Sequence, residues 1–114
     1  MKNFALFLRA NREMSRDSFS DPQEIALRSQ WLNDIEAKGI VVNLGGTLPP
    51  IPAMSATINS ENAMLEGPFS EDIHFLTGYL VIKAADLAAA MDIARTNPII
   101  NAGGSVEVRE ILLR

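Results

Sequence analysis

The strands this sequence encodes carry hydrocarbon on both faces, and that limits the fold more than any other feature. Successive side chains of a strand point to opposite sides. From Phe4 to Leu8, therefore, Phe4, Leu6 and Leu8 share one side while Ala5 and Phe7 share the other. From Phe75 to Lys83 the same rule sets Phe75, Tyr79 and Val81 against Leu76, Leu80 and Ile82. A sheet with one solvated face alternates apolar and polar residues; these strands do not. Only two segments read as helices, and two helices cover one face. The other face needs a partner, and a second copy of the same sheet is the economical one. A homodimer is expected.

The remaining elements follow from local signals. Phe4 to Ala10 reads as a buried strand, and Arg12 to Ser20, being polar, as a loop. Asp21-Pro22-Gln23-Glu24 is a helix start: the carboxylate accepts from orphan amides, the proline gives up an N–H without a partner, and Glu24 can bond back. This helix should run to about Lys38, with Gly39 as its left-handed cap. Ile25, Leu27, Trp31, Leu32 and Ile35 fall in one broad arc of it, but so do Glu24 and Arg28. Ile40-Val41-Val42 begins a strand expected to break at Gly45-Gly46, and Thr47 to Pro52, too proline-rich for a central strand, is expected to be an extended connector or an edge. Ser55 to Ile58 and Ala63 to Leu65 read as two short strands around Asn59 to Asn62, and Glu66 to Asp72 as a turn-rich loop. Asp86 caps a second helix carrying Leu87, Ala90, Met91 and Ala94 at helical spacing, which ends before Pro98. Ser105 to Leu113 is the last strand. The order is a doubled βαβ plan in one domain spanning 1–114: an α+β, ferredoxin-like (βαββαβ-type) fold with an antiparallel sheet.

Composition removes several chemistries. With 114 residues the chain suits one domain. With 0 Cys it has no thiol nucleophile and no Cys-ligated zinc, and with 1 His it has no multi-histidine metal site. A net charge of −4, with the Lys and Arg residues dispersed, argues against nucleic acid. No segment approaches the ~20 apolar residues of a membrane helix, and the N-terminal residues lack the pattern of a secretory signal, so a cytoplasmic protein is expected. No GxGxxG, Walker-type loop, nucleophile elbow or calcium loop occurs, and no cofactor is expected.

Four stretches occur together in order: GGTLPP (45–50), EGPFSE (66–71), LTGYL (76–80) and GGSVEVR (103–109). With them the chain resembles the YCII-related superfamily, and within it the DGPF branch. The resemblance implies a dimeric α+β barrel in which two ferredoxin-like subunits pack sheet to sheet. It also implies one of two kinds of role: a small lyase or isomerase with a His–Asp pair, or an accessory protein associated with extracytoplasmic-function sigma factors. The chain departs from the branch pattern at Glu66, where Asp is usual, at His74, where Glu is common, and at Thr77, which stands in for a Gly. Its first helix carries Arg28, Ser29 and Trp31 in place of the YCII-branch histidine.

The candidate catalytic groups are His74 and Glu66, with Glu71 and Asp72 nearby: a carboxylate beside an imidazole orients it for proton abstraction next to a carbonyl. The competing reading is a solvated acidic loop. Arg28 either pairs with Glu24 at i,i+4 or points into a cavity to bind an anion. Arg109 shares a strand face with Glu107, so it either forms an ion pair at the sheet rim or presents its planar fork to a ligand carboxylate. Tyr79 is a candidate polar tip in the same cavity. The functional expectation is a protein that binds a small anionic or aromatic ligand, as a cofactor-free lyase or isomerase, as a sensor or accessory protein, or else a structural dimer.

Overall fold

The first strand is the organiser of the sheet, because it pairs on both edges. The structure, a computed structural model, describes residues 1–11, 21–69 and 74–114. Within these, β1 (Lys2–Asn11), α1 (Pro22–Ala37), β2 (Val41–Thr47), a 3₁₀ turn (Pro52–Met54), β3 (Ala56–Ile58), β4 (Met64–Glu66), β5 (His74–Ala84), α2 (Leu87–Ala94) and β6 (Ser105–Glu110) follow in order. Four strands form one sheet in the order β2-β5-β1-β6, every pair antiparallel, and β3 pairs with β4 separately. Setting aside the β3–β4 hairpin between β2 and β5 leaves β1-α1-β2-β5-α2-β6, the ferredoxin-like arrangement.

Both helices begin as their sequences dictate. The Asp21 carboxylate accepts from the Gln23 amide at 2.9 Å with Pro22 at the first position, and the Asp86 carboxylate accepts from the Ala89 amide at 2.8 Å. Gly39, at φ +71, lies just past the end of α1. From α1, Trp31 and Ile35 enter the core one turn apart and Leu32 is half-buried, while Ile25 and Leu27 stay 44% and 52% exposed. The arc reaches the core only through its C-terminal half. α2 presents Ala90 and Ala94, whose small side chains let it lie close to the sheet. Beneath the helices, Phe4, Leu6, Leu80 and Ile82 are almost fully buried, each worth about 1.5–3 kcal/mol of hydrophobic stabilisation.

The register fixes the two faces. Phe4 opposes Ile82 and Leu6 opposes Leu80 on the helix side; Ala5 opposes Val81 and Phe7 opposes Tyr79 on the outer side. Strict alternation fails at one point. The pairing steps from Leu8–Gly78 to Arg9–Leu76, leaving Thr77 as an extra residue whose hydroxyl donates to the Leu8 carbonyl at 3.3 Å. One inserted residue inverts the parity of everything before it. Leu76 therefore joins Tyr79 and Val81 on the outer face, and Phe75, opposite Ala10, turns to the helix side, the reverse of the alternation expected from sequence.

Two strand limits also differ from expectation. β2 does not break at Gly45-Gly46 but continues to Thr47 through irregular pairing. Gly45 sits at φ +63, its amide donates to the Asn43 carboxamide oxygen at 2.7 Å, and a Cβ there would overlap the Tyr79 carbonyl. β6 ends at Glu110 instead of Leu113; the Ile111 amide still donates to the Asn3 carbonyl at 2.8 Å, but Leu112 and Leu113 are exposed. The loop expected over Arg12 to Ser20 lies outside the described residues.

Candidate functional site

One face of α1 stands off the sheet. Glu24, Arg28, Leu32 and Glu36 recur at i,i+4 along it and so lie on one line. Among the described residues they form a wall of a cavity of about 630 Å³. The sheet supplies Leu8, Ala10 and Leu80 as the floor, the irregular Leu44–Thr47 stretch of β2 closes one side, and Asn97, Ile99 and Gly104 close another. The gap exists because the N-terminal half of α1 carries charge where a core-facing helix would carry hydrocarbon. Arg28 is half-buried there. Trp31 also lines the cavity, its indole N–H donating to the Thr96 hydroxyl at 2.7 Å.

The residues singled out from sequence divide between places. Arg28 lines the cavity. Tyr79 borders it through its main chain at Gly45, since its register opposite Phe7 sends the phenol to the outer face, where it is 39% exposed. Arg109 lies on the outer face opposite Ala5. There Glu107 accepts from Arg9 Nη1 at 2.6 Å through one oxygen and faces Arg109 Nε at 3.3 Å through the other. Side chains this exposed add at most about 1 kcal/mol per pair. His74 opens β5 opposite Asn11 and is exposed. Glu66 ends β4, opposite Ala56 in the separate hairpin, and is exposed. Neither borders the cavity. Glu71 and Asp72 lie outside the described residues.

Three of the chain's own signature stretches now have positions: the first borders the cavity through Gly45, Gly46 and Thr47, Leu76 to Leu80 surrounds the bulge, and Gly103 to Arg109 leads into and along β6. The profile of the YCII-related domain matches residues 12–113. The chain belongs to the YCII-related domain family. Among curated proteins no match is found. In this YCII-related domain no helix among the described residues is long and apolar enough to cross a membrane. Nor, among those residues, does any cluster of three His, Asp or Glu side chains form that could hold a metal ion.

Sequence reasoning missed Asn97 as a cavity residue, and it placed Trp31 on the apolar arc and beside the position of the YCII-branch histidine without making it a ligand contact. Arg28 and Glu24 within an apolar arc were the legible sign that something other than core lies beside α1. For Asn97 the only sign was its place before Pro98, which reads as a helix terminator and says nothing of burial.

Proposed function

We propose that this YCII-related domain is a homodimeric small-molecule-binding protein. Each copy takes one small anionic or aromatic molecule in the cavity beside α1, and two copies join through their outer sheet faces. The cavity carries the reading. Its size falls within the roughly 300–1,000 Å³ of small-molecule pockets, and like them its walls combine apolar side chains with a few polar groups. Arg28 brings a planar fork suited to a carboxylate, and Trp31 offers an aromatic edge. The positions of His74 and Glu66 away from the cavity favour binding over proton transfer by that pair. A ligand-sensing or accessory role therefore takes precedence over a lyase or isomerase, in keeping with the four signature stretches that favour the DGPF branch.

A thermal-shift screen of aromatic and aliphatic carboxylates tests this. A molecule present at 100 times its Kd adds about 2.7 kcal/mol of stability. At least one carboxylate is expected to stabilise the wild type, with affinity falling tenfold or more in Arg28→Gln. Equal stabilisation of both proteins by every carboxylate that binds contradicts the assignment.

A further inference from the structure

We propose that Asn97 is the buried hydrogen-bond donor of this cavity, holding an acceptor oxygen of a small carboxylate or carbonyl compound whose apolar body lies against Trp31 and Leu32. The inference rests on the cavity being the binding site.

Asn97 is 5% exposed and borders the cavity between α2 and β6. Its side-chain oxygen accepts from the Ile99 amide at 2.9 Å, and its main-chain amide donates to the Ala94 carbonyl at 3.1 Å. The first of these bonds settles which way the carboxamide faces, because only its oxygen can accept from an N–H. The Nδ2 group, with two donor hydrogens, therefore points away from the turn. Among the described residues it has no acceptor. No fully buried side-chain nitrogen among them lacks a partner, so Nδ2 must reach accessible space, and the space Asn97 borders is the cavity. A side chain this buried normally has its donors satisfied. An acceptor delivered by a ligand completes it.

The surroundings define that ligand. Trp31 is tied to Thr96, the neighbour of Asn97 in the chain, and Trp31 and Asn97 both line the cavity. Arg28 lies one turn before Trp31 on α1 and brings positive charge from a different element. Both Nδ2 and the guanidinium donate and neither accepts. Two donors from two parts of the chain, in a cavity that Leu8, Leu32 and Leu80 also line, suit an oxygen-rich head on a compact apolar body.

The test titrates isotope-labelled full-length protein with benzoate, an acceptor, and benzamidine, a donor of similar shape, following the single indole N–H of Trp31 and the Ile99 amide. Four proteins are compared: wild type, Asn97→Asp, Asn97→Ser and Arg28→Gln. Asp and Ser both keep an acceptor for the Ile99 amide, and the neutral Ser separates loss of the donor from added charge. Benzoate is expected to shift the Trp31 signal in the wild type and to bind at least tenfold more weakly to both Asn97 variants, with benzamidine gaining in Asn97→Asp. Benzoate binding that falls in Arg28→Gln but is unchanged in both Asn97 variants overturns this inference and leaves the cavity reading standing. Benzoate that moves Trp31 in none of the proteins overturns this inference, whereas the cavity reading falls only if no carboxylate of the thermal-shift screen stabilises the wild type.

Discussion

Thr96 shows how one hydroxyl can hold a cavity wall. It accepts from the Trp31 indole N–H at 2.7 Å and donates its own proton to the Ile93 carbonyl at 2.7 Å, so the indole is tied to the end of α2 through a two-bond relay. Thr96→Val keeps the shape and removes the acceptor. A stranded, largely buried N–H costs about 1–3 kcal/mol, and urea denaturation should show a loss in that range with a shifted Trp31 emission; unchanged stability would show that the relay is incidental. Gly45 makes the opposite case, where the absence of a side chain is what matters. Gly45→Ala drives a methyl into the Tyr79 carbonyl at a positive φ, and residues held in such conformations cost about 1–3 kcal/mol before any overlap is counted. Its Tm should fall further than that of Gly46→Ala, where a Cβ meets nothing within 4 Å.

At the scale of elements, the caps are the most direct test of how sequence sets boundaries. Asp86→Ala removes the acceptor of the Ala89 amide at the start of an α2 of 8 residues, and should cost about 1 kcal/mol in thermal denaturation. Both helix starts were legible because Asp21-Pro22 and Asp86 act within a single turn. Strand faces were legible where alternation is unbroken, as at Phe4 and Leu6 and at Leu80 and Ile82. What escaped sequence was non-local. The bulge at Thr77 answers to Leu8, a residue 69 positions away, and nothing near Thr77 announces that Phe75 and Leu76 exchange faces. Gly45-Gly46 read as a stop, whereas the backbone of Tyr79 comes so close that only glycine allows β2 to pass. The site divided in the same way. Arg28 declared itself as a charge in an apolar arc, but Asn97 acquires meaning only once the fold sets it beside the cavity and the Ile99 amide holds its carboxamide oxygen.

At the scale of the whole molecule, the sheet has two differently built faces, suited to two different tasks. The helix side buries a core at one end and opens into a cavity at the other. The outer side carries Ala5, Phe7, Leu76, Tyr79 and Val81, with neither α1 nor α2 packed over them among the described residues, and Arg9, Glu107, Arg109 and Lys83 lie on the same side. The chain measures 41 × 39 × 19 Å, and two sheets stacked face to face stand about 10 Å apart. Joining two outer faces buries aromatic rings at the centre and leaves the charged residues at the rim, the usual anatomy of an interface. Phe7→Glu places a carboxylate at the centre of that face, away from the cavity, and should separate the copies while leaving carboxylate binding beside α1 intact. The division of tasks between the faces is tested most directly by sedimentation equilibrium of the wild-type protein at micromolar concentration. The account predicts the mass of two chains, twice 12.4 kDa; a well-folded species with the mass of one chain across that concentration range would contradict it.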